Sequence, residues 1–192
     1  MAVCLELLEH PLEYGRGTIT MTNNREEIEK IIISFLGEHG ENYFTCALAT
    51  CWNNEPRNTP VDARNDGLTM YFVSDLGKKL ENMKKNPKVC LAVFMPVGKG
   101  YMKNARGLQM WGTVKILTMQ ESPEEFKKGA EVIRIDEISA TVSGAPLPDE
   151  VKATLNIIKV VPSKIAYFDS TGDKPVKHIW EAQTADRKLD RY

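Results

Sequence analysis

The sequence predicts a mainly β chain, a six-stranded antiparallel β-barrel with flanking helices. Three observations carry this. About six segments alternate in side-chain character at period two. Tight Asn- and Gly-bearing turns join neighbouring segments into a meander. Helical spacing occurs in only a few places, without the regular strand–helix alternation of a parallel α/β sheet. With 192 residues, 42% of them hydrophobic, the chain can fill one core but hardly two, so residues 1–192 are expected to form a single domain.

Residues 1–21 show no clear period and are set apart as an N-terminal arm. Asn23-Asn24 then offers a helix cap, Glu26 and Glu27 suit the positive helix end, and Ile28, Ile31, Ile32, Phe35 and Leu36 share one face. This helix should end near Gly37 or Gly40. FTCALATC (44–51) is apolar or small on both faces, so both faces should be covered. Asn53-Asn54 and Asn65-Asp66-Gly67 supply the turns around PRNTPVDA (56–63) and GLTMYFVS (67–74), and strand three sets Leu68, Met70, Phe72 and Ser74 against Thr69, Tyr71 and Val73. A short helix opening at Gly77-Lys78-Lys79 should stop before Pro87, followed by the strand KVCLAVFM. Residues 96–107 read as a loop and Leu108 to Leu117 as a strand with a polar and aromatic second face. Ser122-Pro123-Glu124-Glu125 has the composition of a capping box and predicts a helix to about Arg134. Ile138 to Pro148 reads as loop, Leu155–Val161 and Lys164–Phe168 as one or two final strands, and residues 170–192 as a polar tail.

The 25 basic and 26 acidic residues nearly cancel, so no general field draws the protein to nucleic acid or an anionic membrane, and any anion must be held locally. Cys4, Cys46, Cys51 and Cys90 form no CxxC pair, which favours free thiols in a reducing cytoplasmic compartment. The first residues lack the basic flank and unbroken apolar run of a signal peptide, and no segment approaches a membrane span. His10, His39 and His178 are scattered, without metal-ligand spacing, so no metal is expected.

The residues most at odds with a plain barrel lie in strands two and three and the helix after them. Lys78 and Lys79 fall in a helix's first turn, where the dipole disfavours cations unless an anion lies beside them, and this reads as a phosphate site. The alternative is one solvated face of a lysine-rich helix that also carries Lys84, Lys85 and Lys88. Ser74 offers a hydroxyl to the same corner, and Asp75 would repel an anion unless it caps the helix. Pro60 cannot donate to a ladder, so its strand is an edge or is interrupted there. Either leaves backbone groups free for a ligand beside Arg57 and Thr59, unless this is an ordinary edge strand with a solvated arginine. Trp111 and Gln109 could stack on and bond a flat heterocycle, or Trp111 could be covered by a second subunit.

With these residues in place, the chain resembles the FMN-binding split-barrel superfamily, which includes pyridoxamine 5'-phosphate oxidase. The likeness spans about Glu26 to Leu117 plus IIKVVPSKIAYF, through ALATCWNNEPRNTPVDA, MYFVSDLGKKLENMKKNPKVCLAVF and QMWGTVKIL with its Gly112. It implies a split barrel and a homodimer with FMN at the subunit interface. Arg57, Asn58, Thr59, Pro60 and Val61 would line the flavin from strand two. Phe72, Val73 and Ser74 would continue the site, Lys78 and Lys79 would hold the phosphate, and Gln109 and Trp111 would approach the ring from either subunit. The function implied is an FMN-dependent oxidoreductase acting on a small-molecule substrate or redox partner, with no side chain assigned as catalytic. Haem- or deazaflavin-binding barrels, a non-catalytic FMN electron carrier and a ligand-free interaction platform are the alternatives; haem would want an axial histidine, and none lies in the matched strands. Two departures stand out. The chain ends in DRKLDRY where pyridoxamine phosphate oxidases finish near Leu-Ala-Pro, and residues 123–150 exceed what a minimal barrel needs, which suits a lid or a dimer arm.

Overall fold

A computed structural model describes residues 24–38, 44–95 and 104–183. The N-terminal arm, most of the loop before strand five and the last residues of the tail fall outside these.

Helix α1 (Arg25–Gly37) starts where its cap requires: the Asn24 side chain accepts from the Glu26 amide at 3.1 Å, and Ile28, Ile32, Phe35 and Leu36 are buried. A meander of β1 (Phe44–Trp52), β2 (Glu55–Asp66) and β3 (Thr69–Ser74) follows. The β1–β2 turn holds Asn53 and Asn54 at φ 51° and 59°, a left-handed pair that asparagine tolerates and a two-residue hairpin needs. Helix α2 (Lys78–Lys85), β4 (Lys88–Phe94) and β5 (Arg106–Leu117) come next, then three helices, α3 (Pro123–Ile133), α4 (Ile135–Ser143) and α5 (Asp149–Lys152), and finally β6 (Asn156–Asp169) and β7 (Val176–Glu181).

All the strand pairings are antiparallel. The order is β3-β2-β1-β4-β5-β6-β7, and β3 also pairs with β6, so six strands close into a barrel and β7 extends it beyond β6. Inward positions alternate as the sequence alternates: Cys46 and Leu48, Met70 and Phe72, Leu91 and Val93, and Leu108 and Met110 are buried in one cluster with the apolar faces of α1 and α2. β6 runs through as one strand, with an irregularity opposite Trp111 and Gly112 that absorbs Ser163.

Three expectations need correction. Ile135–Ser143 is a helix rather than a loop, and Ile135 joins a second apolar cluster with Tyr71, Phe126, Ile133 and Ile157 on the outside of the barrel. The polar tail contains a strand, β7, whose Trp180 is buried, donates to Glu29 at 3.1 Å and lies under the Arg25 guanidinium. Ser122 does occupy the cap position of α3, but its side chain makes no cap bond. The expected capping-box acid, Glu125, turns instead to Lys115 on β5 and Lys159 on β6. Two cations across the sheet outcompete one backbone amide.

That exchange ties α3 to the barrel and predicts a pH effect. Bonds from Lys115 first and Lys159 second hold the Glu125 carboxyl below its ordinary 4.5. A depressed folded-state pKa adds stability above the ordinary value and loses it as pH falls through the folded one. Glu125→Gln is expected to cost less than about 1 kcal/mol at neutral pH, since the pair is partly solvated, and to flatten the stability loss as pH falls below the ordinary carboxylate value of 4.5. Chemical denaturation at several pH values checks both.

Candidate functional site

The barrel is open along one seam. β2 pairs with β1 over its whole length, through Ala47↔Pro60, but with β3 only at Arg64, Asn65 and Asp66. Residues 61–63 of β2 and 72–74 of β3 therefore lie opposite one another without a ladder between them, and residues 55–60 run beyond the end of β3. Pro60 is an edge residue, and the β1 ladder continues past it. In an antiparallel strand, alternate residues aim both N–H and C=O at the same side, so each lip of the seam presents unspent backbone groups.

The lysines stand where the seam meets α2. Gly77 opens this helix at φ 140°, a conformation other residues rarely adopt, and no side chain caps it, so Asp75 does not neutralise its positive end. Lys78 is exposed and paired with Glu81 at 3.3 Å. Lys79 is half-buried, and among the described residues it has no ion-pair partner. With Pro60, Val61, Asp62 and Val73 it lines a cavity of about 570 Å³ whose far wall is α4. A cavity of about 600 Å³ between α3 and α5 contains none of the predicted residues, and within it Lys152 pairs with Asp136 and Arg134 with Glu137. Size alone does not mark the site.

The other predicted residues divide by strand parity. Arg57 and Asn58 are exposed on the β2 lip. Thr59 buries its hydroxyl oxygen without any hydrogen-bond partner, next in the chain to a cavity-lining residue. Such an orphan costs about 1–3 kcal/mol unless water or a ligand satisfies it. Phe72 is fully buried in the barrel core, so only its backbone can reach a ligand. Ser74 is buried as well and its hydroxyl donates to the Asp75 carbonyl at 3.1 Å, which leaves its lone pairs rather than its proton for anything nearby. Gln109 and Trp111 point outward from β5, opposite Ala92 and Cys90, with β4 and β1 between them and β2. One chain does not bring them to the lysines.

Sequence reasoning missed the α4 wall. Ile135, Ile138 and Val142 recur at helical spacing and line the cavity, a signal masked by the surrounding Ser, Thr, Gly144 and Pro146. Neither Cys46 nor Cys90 is an activated nucleophile: burial, aided by Asp62, pushes the Cys46 thiol up to about 12, and burial raises Cys90 as well. Among the described residues no three His, Cys, Asp or Glu side chains could hold a metal ion, and no helix is long and apolar enough to cross a membrane.

Comparison with known proteins bears on the fold and the family. No curated protein matches the sequence. An FMN-binding protein related to pyridoxamine 5'-phosphate oxidase from Nostoc punctiforme has a similar structure at 14% identity and a TM-score of 0.59, over 81% of this chain and 92% of that one. A FAD-binding protein from Mesorhizobium loti is similar at 15% identity and a TM-score of 0.53, over 75% and 93%. At such identities the likeness is one of fold. The sequence model of pyridoxamine 5'-phosphate oxidase matches residues 41–169, two thirds of the chain and every strand of the closed barrel. The chain belongs to the pyridoxamine 5'-phosphate oxidase family, within the FMN-binding split-barrel superfamily.

Proposed function

We propose that this protein binds FMN at the β2–β3 seam and is an oxidoreductase. The observation that carries the reading is a half-buried Lys79 in a helix's first turn, without an ion-pair partner among the described residues, lining one cavity with Pro60 and Val61 of the strand edge. A phosphate monoester answers that need, with acceptor oxygens for the ammonium and the helix amides. Lys78 and Lys79 would hold the phosphate, and Arg57 would line the flavin. Asn58, Thr59, Pro60 and Val61 on one lip, and Phe72, Val73 and Ser74 on the other, would hold the rest, largely through backbone atoms. When bound, the flavin supplies the hydride and electron chemistry, while these residues fix its position and keep water from it.

The reading includes a homodimer. The outer face of β1 and β4 carries Ala47, Ala49, Cys90 and Ala92, and beside it Trp111, Phe94 and Phe168 are 36%, 59% and 42% exposed. A second copy there would cover them and carry Gln109 and Trp111 toward the flavin of the first. Haem fits less well, since His178 is buried on β7 and stacked on Tyr167, away from the seam.

An absorbance scan of the purified protein, followed by FMN titration and anaerobic reduction with NADH or NADPH, tests the proposal. Flavin bands in the blue and near ultraviolet are expected, with saturable FMN binding. An intense Soret band, or no response to FMN, would contradict it.

A further inference from the structure

We infer that the ligand handled beside the cofactor is an uncharged, apolar ring compound and carries no phosphate; this rests on the flavin reading above. The cavity is one-sided in chemistry. Val73, Ile133, Ile138, Val142, Leu147 and Leu155 make most of its wall. Its few polar groups are already engaged: Ser143 donates to the Ser139 carbonyl at 2.8 Å, and Asp62 accepts from the Thr45 hydroxyl at 2.8 Å. Among the described residues Lys79 is the one lining cation, and on the flavin reading the phosphate takes it. A second phosphate in the same slot would meet hydrocarbon and the Asp62 carboxylate, with no counter-charge to offset its desolvation.

The α4 wall points the same way. Val142 is 84% exposed and Ile138 is 40% exposed, both facing the slot across from the flavin-holding lips, and apolar side chains so placed favour an apolar occupant. A phosphorylated pyridine substrate would ask for a second cationic cradle, and among the described residues this wall provides none.

The test uses the FMN-loaded, oxidised protein and menadione, a neutral naphthoquinone, with binding followed by calorimetry or quenching of flavin fluorescence. The double variant I138E/V142E, kept saturated with FMN and with its FMN affinity measured alongside, is expected to weaken menadione binding by roughly tenfold or more. V142E alone, at a mostly exposed position, gives the same direction if the double variant folds poorly. Pyridoxal and pyridoxal 5'-phosphate provide the second arm, where the added phosphate should bring no gain in affinity for the loaded protein. Absent menadione binding, equal binding by the variants, or tighter binding of the phosphorylated pyridine would overturn the inference and leave the flavin reading standing. Failure of the wild-type chain to take up FMN would instead overturn the flavin reading, and this inference with it.

Discussion

Replacing Lys78 and Lys79 together with glutamate is expected to weaken FMN binding by at least about 3 kcal/mol, roughly a hundredfold or more, because charge-assisted bonds are exchanged for repulsion. The two lysines should contribute unequally. Lys78 is exposed and shares its charge with Glu81, whereas Lys79 is half-buried, lines the cavity and is without an ion-pair partner among the described residues. Lys79→Met should therefore carry most of the loss, and Lys78→Met little of it. Fluorescence titration of FMN into the three variants separates these contributions. Wild-type affinity in the double variant would place the phosphate elsewhere. Folding should survive, since neither side chain enters the core, and relieving two cations at a helix N-terminus mildly favours the helix.

The largest effect on stability is expected at Gly112. A Cβ built there would lie 2.4 Å from the Val161 carbonyl oxygen and 3.1 Å from a Val160 methyl group. The first neighbour is backbone, so relief requires moving β6 relative to β5. Those two strands share the longest ladder in the barrel, and the irregularity that absorbs Ser163 lies at this point. Gly112→Ala is expected to cost about 3 kcal/mol, near the upper end for overpacking, and Gly112→Val more. For a chain of this size that lowers Tm by roughly 6–12 °C. Gly37 at the end of α1 serves as control: a Cβ there meets nothing within 4 Å, so Gly37→Ala should be neutral or slightly stabilising. An unchanged Tm for Gly112→Ala would contradict the register on which the whole barrel is drawn.

Much of the fold could be read from local rules. The α1 cap, the β1–β2 turn and the alternation of β3 depend on residues near one another in sequence, and these came out as expected. Pro60 foretold an edge because proline's missing N–H is a local fact with one structural consequence. Harder to read were features decided by distant partners. β7 is a strand because β6 offers it an edge and α1 covers Trp180, and nothing within VKHIWE says so. Glu125 leaves its cap for lysines on two other strands. The α4 helix hides behind residues of weak helical preference, although Ile135, Ile138 and Val142 keep the right spacing. At the site, the lysine-bearing turn and the strand edge were legible as anomalies of helix dipole and ladder. The far wall of the cavity was not, because it comes from a segment more than seventy residues away from the edge it faces.

The burial of Ser74 was contained in the sequence all along. It shares the inward face of its strand with Met70 and Phe72, and the structure keeps it there at 1% exposure, donating to Asp75. Its service to a ligand is thus limited to accepting a bond or to its backbone amide. Thr59 is different, because β2 runs past the end of its pairing with β3 and leaves an inward hydroxyl unanswered.

A crystal structure of the protein grown with FMN is the most direct measurement of the central claim. The phosphate is expected at the first turn of α2, within hydrogen-bond distance of the Lys79 ammonium, with the Thr59 hydroxyl newly satisfied along the β2 lip. A flavin bound elsewhere, or a β2–β3 seam closed by the protein's own side chains, would contradict it.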